Sequence, residues 1–346
     1  MSTKTVVTFK PKQVVKRLLS ALSDRSVDVI VKRYGLGKDL ESMTLDAIGK
    51  TYGITRERVR QIENHALGLI RKSKNYTEEK SVFDEIAKVM SEMGGIVEEE
   101  TLLDTISKDK TIQNYVSFLL VLGNQFKKLK EDEEFGHRWY IEEDLASNIH
   151  NTLRKLFDTL KMEDLVSEQE IIKMFLDNYP TLSEQYKNSD TVKGWLALSK
   201  KIDKNPLGEW GRSESPNVCT KGMRDYAYLV IRKHGSPIHF REVAKEIVKV
   251  FDKKAHVATC HNELIKDPRF VLVGRGLYAL SEWGYMSGVV KDVIKKIIEK
   301  NGPLSKKDII EKVLKERYVK ENTIIINLQN PKFFKKGLDS KYDIVK

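Results

Sequence analysis

The chain has 346 residues, with 61 Lys and Arg against 50 Asp and Glu, a formal net charge of +11. Charged residues make up 32% and apolar residues 40%, a balance that fits several small cores with much surface and predicts more than one domain. The most apolar uncharged stretch, Tyr115–Gly123, falls far short of the roughly 20 residues a spanning helix needs, and Met1–Lys12 has no apolar run like that of a signal peptide. Cys219 and Cys260 are too few for a disulfide scaffold, and neither belongs to a paired zinc motif. Membrane-spanning and secreted classes are therefore excluded as expectations, no membrane partner is expected, and the reducing cytoplasm is the expected setting.

The charge is unevenly placed. Residues 1–80 hold 17 basic and 9 acidic side chains, and residues 81–150 hold 7 and 15. Residues 151–222 hold 11 of each, and residues 223–346 hold 26 and 15. Two basic ends flank an acidic piece. Basic domains concentrate polyphosphates by counterion release, so nucleic acid is the leading partner, with a Lys-rich solvated surface as the alternative. The acidic piece is expected to contact protein or act as a spacer.

Residues 44–72 read TLDAIGKTYGITRERVRQIENHALGLIRK. Thr44 is placed to cap a short helix over Leu45–Tyr52, Gly53 supplies a turn that tolerates positive φ, and Thr55 caps a second helix over 55–71. This is helix-turn-helix spacing, with Gly49 small and Ile48, Tyr52, Ile54, Val59 and Ile62 inward. Helical spacing predicts a buried stripe of Val59, Ile62, Ala66 and Leu69 on the second helix, leaving Arg56, Glu57, Arg60, Gln61 and Asn64 opposite. Such a face suits a major-groove reader: Arg bonds bidentately to guanine, Glu accepts from cytosine, and Gln pairs with adenine. Taken singly, each charge also has an ordinary surface role, such as Glu57 favouring the first-turn dipole and pairing with Arg60.

The TRERVRQIE core after a capped glycine turn closely resembles region 4 of the bacterial sigma factors, which reads the −35 promoter element. The resemblance spans residues 14–74 and includes LLSALSDRSVDVIVKRYGL at 18–36. It implies base contacts from Arg56, Glu57 and Gln61, and phosphate or supporting contacts from Thr44, Arg58 and Arg60. Arg25 and Arg33 match the family's backbone-contacting positions. The implied partners are promoter double-stranded DNA and RNA polymerase core through its flap. Ser26 stands where the family commonly has Glu, and no other segment resembles region 2, so the resemblance implies a borrowed module rather than a complete initiation factor.

Downstream, a unit of three helices and a hairpin repeats. In 224–285, a helix, the Gly235-Ser236-Pro237 turn and a second helix precede a third helix over Thr259–Lys266, then strands at Arg269–Val273 and Leu277–Leu280 about a Gly274-Arg275-Gly276 turn. His239-Phe240-Arg241-Glu242, Asn262-Glu263-Leu264, Asp267-Pro268-Arg269-Phe270 and Gly274 through Trp283 strongly resemble the HARE-HTH family, the winged helix of the RNA polymerase delta subunit. The tail, 289–345, resembles a second copy with a shortened wing. Weaker copies lie at 82–141, with Gly94-Gly95 as turn, and at 149–211, ending near Trp210. Winged helices bind nucleic acid or protein, and fold alone does not choose. His256, His261, Lys266 and Arg275 are the winged-helix candidates for phosphate contact, with solvated surface as their alternative. Trp283 and Tyr285 are expected to close the wing's core.

His256, Cys260 and His261 offer three metal ligands on one helical turn but no evident fourth, so no metal is expected. There is no Gly-x4-Gly-Lys-Ser/Thr loop, and the carboxylate runs Glu98–Glu100 and Glu131–Glu134 are expected on solvent faces. No catalytic residue, cofactor or small-molecule substrate is expected, and the chain reads as a non-enzyme. The expected fold is mainly α: a sigma-region-4-like helix-turn-helix over 1–76, then tandem winged-helix units over 81–144, 147–215, 223–286 and 289–346. The expected function is sequence-specific transcription regulation at a promoter with RNA polymerase in a nucleoid-associated cytoplasmic setting. The rivals are a polymerase-associated or chromatin adaptor that mainly binds protein, and the DNA-recognition subunit of a restriction system.

Overall fold

A computed structural model describes residues 7–37, 41–337 and 339–345. Residues 1–6 and 38–40 of the expected head, and 338 and 346 of the last expected unit, lie outside the described residues. The chain is 57% helical, and its strands are all short. It divides into two compact units, one running to Asp203 with Trp210–Ser213, the other comprising Lys204–Glu209 and Glu214 onward.

In the first unit, α1 (Pro11–Leu19), α2 (Asp24–Tyr34), α3 (Leu45–Tyr52), α4 (Arg56–Lys72) and α5 (Lys74–Glu78) make the head. A winged helix follows: α6 (Lys80–Glu92), β1 (Ile96–Glu98), α7 (Glu99–Ile106), α8 (Lys110–Leu122), β2 (Lys127–Leu129) and β3 (Arg138–Tyr140). The next repeats the order with α9 (Glu143–Thr159), α10 (Glu168–Asp177), α11 (Ser189–Leu196), β4 (Ile202–Lys204) and β5 (Trp210–Arg212). The second compact unit holds a third winged helix, α12 (Met223–His234), β6 (Ile238–His239), α13 (Phe240–Phe251), α14 (Val257–Lys266), β7 (Phe270–Gly274) and β8 (Leu277–Leu280). The fourth comprises α15 (Val290–Asn301), β9 (Leu304–Ser305), α16 (Lys306–Glu316), α17 (Glu321–Leu328), β10 (Phe334–Lys336) and β11 (Lys341–Ile344).

The four copies share one topology that a hairpin alone does not describe. In three of them the last strand lies centrally, flanked by the wing's first strand and by a short strand just before the second helix: β1-β3-β2, β6-β8-β7 and β10-β11-β9. In the remaining copy a bridge from Val166 to Trp210 stands in for the short strand. Short polar side chains start the helices: Asp109, Ser167, Asn188 and Ser305 each accept a hydrogen bond from a first-turn amide of α8, α10, α11 and α16. Trp283 and Tyr285 pack partly buried on Val271, Val273 and Ala279, closing the third wing's core.

The head does not stand apart from the first winged helix. Val14, Val15, Leu18, Ile30, Ala66, Leu67 and Ile70 of the head share one continuous core with Phe83, Ile86, Val116, Phe118 and Leu119. Tyr34 meets Phe118 edge-on at 5.1 Å between ring centroids. Asn114 donates to the Gly35 carbonyl at 3.1 Å, where α2 ends. Arg71 donates to the carbonyls of Leu122 at 3.0 Å and Val121 at 2.9 Å, so a cation sits on the negative end of α8.

The acidic run Glu131–Glu134 lies on a solvent face, as expected, but is not free there. It is half-exposed and ties the first winged helix to the second: Lys200 Nζ lies 2.7 Å from Glu131, Arg154 lies 2.8 Å from Glu134, and Phe135 bridges Ser199 as in a strand pair. The Arg154 and Lys200 partners lie 20 and 69 residues away, so the chain order does not show them. Behind it, the buried Arg138 guanidinium donates to the carbonyls of Lys130 and Gly136, to Asp132, and from Nε to His150 Nε2 at 2.8 Å. Burial, with the Arg138 charge, pushes the His150 pKa from 6.5 down to about 4.

The third and fourth winged helices also interlock. The Tyr318 amide donates to the Val273 carbonyl at 2.7 Å, pairing with the outer edge of β7. A side chain at Gly274 would lie 2.8 Å from the Tyr318 carbonyl oxygen, so the close pass of the next unit dictates that glycine. Gly276, at φ +75, is the residue the wing turn itself requires. Arg317, 3% exposed, donates to the carbonyls of Met286 and Gly288 in the linker.

Two expectations test these ties. Arg71→Met removes two charged hydrogen bonds while keeping the apolar stem, and is expected to lower stability by about 1–3 kcal/mol in urea unfolding; an unchanged midpoint would refute the brace. His150 is neutral when folded, whereas the unfolded chain takes up a proton near pH 6.5. Stability is therefore full above that pH and declines by about 1–3 kcal/mol as pH falls toward 4. His150→Gln, which keeps an acceptor, is expected to flatten that part of the pH profile.

Candidate nucleic-acid interface

The head's reading surface is built by two capped helices and one tight turn. Thr44 Oγ accepts from the Ala47 amide at 3.2 Å and Thr55 Oγ from the Arg58 amide at 3.2 Å, which starts α3 and α4. Gly53 closes α3 at φ +63, a backbone conformation that favours glycine. Gly49 is small for another reason: a Cβ there would lie 2.6 Å from the Ile54 carbonyl oxygen, so the turn passes directly over it. Val29, Ile48 and Val59 form the small core beneath, with Met43, Leu45, Tyr52, Ile54 and Ile62 around it.

The buried stripe of α4 differs from the expected one. Val59, Glu63, Ala66, Leu67 and Ile70 are buried, while Leu69 is 40% exposed. Measured from Glu63 on a helix turning 100° per residue, Val59, Ala66, Leu67 and Ile70 lie within about 60°, whereas Leu69 lies about 120° around. Glu63 is the charged member of that face. It accepts from the Tyr34 hydroxyl at 2.9 Å and from Arg33 Nε at 3.4 Å. Burial, with Glu63 beside it, raises the Tyr34 pKa well above its ordinary value. Sequence reading missed this trio because a lone Glu on a helix carries no mark of burial.

Arg56, Glu57, Arg58, Arg60, Gln61 and Asn64 are exposed over the N-terminal half of α4. Arg60 grips Glu57 with two bonds, Nε to Oε2 at 2.8 Å and Nη2 to Oε1 at 2.7 Å. Gln61 Nε2 reaches the same carboxylate at 3.5 Å, and Arg58 donates to Gln61 Oε1 at 3.1 Å. The Arg60 bonds hold the Glu57 carboxyl below its usual pKa. Four expected readers thus form one side-chain network, while Arg56 makes no hydrogen bond or ion pair among the described residues. Exposed pairs of this kind contribute little stability, so a ligand exchanges them at small cost.

The other expected positions divide. Arg25 is exposed in the first turn of α2. Arg33 is half-buried, donating to the Met43 carbonyl at 3.0 Å as well as to Glu63. Thr44 is exposed with its hydroxyl committed to the cap. In the third winged helix, His256 precedes α14 and Lys266 ends it, about 15 Å apart at 1.5 Å per residue, and Arg275 lies in the wing turn. His261 is stacked on Phe240 at 4.1 Å. The exposed face of α14 also carries Val257 and Ile265, the latter 62% exposed. Cys260 is buried, and burial pushes its thiol pKa up to about 11, which disfavours the thiolate a metal would need.

Comparison with known proteins gives the head a relative. Residues 18–72 match the family described as Sigma-70, region 4. An RNA polymerase principal sigma factor HrdD of Streptomyces griseus is 43% identical over 63 residues, which is 18% of this chain and 19% of that protein. An RNA polymerase sigma factor RpoS of Coxiella burnetii is 46% identical over 57 residues, 16% of each chain. The HrdD protein of Streptomyces coelicolor is 40% identical over 68 residues, 20% of each. The chain thus spans about a fifth of the length of these curated relatives.

Gly49→Ala is expected to push the turn off α3, lower head stability by about 1–3 kcal/mol, and weaken DNA binding together with it. Unchanged unfolding and binding would show that the turn yields without cost.

Proposed function

We propose that the chain is a DNA-binding transcription regulator whose head reads a promoter element resembling the −35 sequence, in association with RNA polymerase. The observation that carries this reading is the exposed, arginine-rich N-terminal half of α4 inside the segment that matches Sigma-70, region 4. Arg56 and Gln61 are the base readers, with Glu57 orienting Arg60 and Gln61; Arg25, Arg58 and Arg60 contact phosphate. Arg33 holds α2 to α4, and Thr44 acts as a cap. The five-part division at 1–76, 81–144, 147–215, 223–286 and 289–346 belongs to this proposal, as does kinship of the third unit with HARE-HTH domains of the delta-subunit type. Docking on the polymerase flap and a nucleoid setting are its remaining parts.

One observation favours a protein-binding share of the work. The third helices α14 and α17 expose Ile265 and Ile326, 62% and 68% accessible, where a groove reader would carry polar or basic side chains. Those helices suit protein docking better than base reading.

Selection of random duplex DNA by the full chain is expected to enrich one element. Arg56→Ala and Gln61→Ala are each expected to reduce discrimination at one base position by about 1–3 kcal/mol while leaving salt-dependent binding in place. Wild-type preference in both variants would overturn the groove assignment.

A further inference from the structure

The wing of the fourth winged helix carries exposed lysines, whereas its third helix carries none. Lys332, Lys335 and Lys336 are exposed, and none lies within 4 Å of a carboxylate among the described residues. Lys291 of α15 joins them, its ammonium 4.6 Å from the centre of the Phe333 ring. The opposing charges are Asp339, which pairs with Lys341 at 3.7 Å, and Asp343, which stands opposite Lys335 in the β10–β11 register. Among the described residues, Lys332, Lys336 and Lys291 have no carboxylate partner. By contrast α17 carries no basic residue, has Glu321 in its first turn and exposes Ile326. A helix of that composition is poorly made to enter an anionic groove.

Among the described residues, the first and third wings lack this arrangement. In the first, Lys127, Lys128 and Lys130 precede Glu131–Glu134, and Lys128 is paired with Glu99 at 2.6 Å. In the third, Arg269 is bound to Asp267 at 2.7 Å and Asp225 at 2.9 Å, which leaves Arg275 at the tip. The fourth wing also has a firm base, because Tyr318 and Arg317 fasten its unit to the preceding one.

We propose that this wing is a second DNA contact, which grips the phosphate backbone of duplex DNA without reading its sequence. Ammonium groups are point charges with no bidentate geometry, so they add affinity and salt dependence but no base preference. Phe333 offers no clear stacking platform for unpaired bases, since Lys291 covers one face of its ring, and this favours a duplex over a single strand. The proposal does not rest on the head: a chain whose α4 chose no sequence would keep the wing contact.

The test uses the full chain and a duplex of scrambled sequence, with affinity measured at several salt concentrations. The triple variant Lys291→Ala, Lys332→Ala, Lys336→Ala is expected to reduce the slope of log affinity against log salt by about 2–3, near 0.9 for each phosphate left without its lysine. Affinity for scrambled and for selected DNA is expected to fall by the same factor, leaving their ratio unchanged. The conservative triple Lys291→Arg, Lys332→Arg, Lys336→Arg is expected to keep the wild-type slope, which separates loss of charge from loss of fold. An unchanged slope in the Ala variant, a loss confined to the selected sequence, or an equal loss in the Arg variant would each overturn the proposal. Failure of the head reading shows elsewhere, as absence of any enriched element, and leaves the slope comparison intact.

Discussion

Helix α4 has to serve two cores at once, and the arrangement of the head follows from that constraint. Its N-terminal half rests on Val29 and Ile48 and carries the arginine-rich face. Its C-terminal half, through Ala66, Leu67 and Ile70, is buried in the core of the first winged helix, and Arg71 is bonded to the end of α8. A 17-residue helix about 25 Å long is thereby fixed at its far end by a second globular element. The reading face cannot swing relative to that element without breaking packed apolar contacts and leaving buried polar groups unmatched. The pair Arg33 and Glu63 serves the same purpose at the middle of the helix, trading a surface charge for a fixed angle between α2 and α4.

This brace also explains how an acidic element can sit beside a basic head. The first winged helix packs on the half of α4 that lies farther from the exposed arginines, and part of its negative charge is neutralised locally. Glu99, Glu131, Asp132 and Glu134 are paired with Lys128, Lys200, Arg138 and Arg154. Two of these pairs join the first and second winged helices. The acidic run therefore acts as a connector, which a tally of charge along the chain would count as free surface.

The repeats show how one fold accommodates different surfaces. All four winged helices place the last strand in or beside the sheet's centre, a feature that satisfies backbone groups irrespective of ligand. What varies is the chemistry on the third helix and on the wing. Exposed isoleucines on α14 and α17 and the lysines of the last wing place apolar and cationic surface on separate elements of the same domain type. Fold identity alone assigns neither.

The local structure of the head was legible in its residues. Thr44, Gly53 and Thr55 mark caps and a turn through interactions spanning three or four positions, and such short-range signals survive in a linear pattern. The mainly helical fold with short hairpins was legible for the same reason, from glycine turns between amphipathic runs. The stripe on α4 was partly misread, because Leu69 and Leu67 are equally apolar and only the true helical phase tells them apart. What tertiary structure alone decided were the long-range ties: Glu63 with Tyr34 and Arg33, Arg71 with α8, the acidic run with Lys200 and Arg154, and Gly274 under Tyr318. Each joins residues between 20 and 69 positions apart, or requires a glycine because another backbone passes close by. A sequence specifies its neighbours' backbone preferences directly, but a charged side chain reads the same whether it meets water or a distant partner. Only the packing of whole helices determines which of the two it finds.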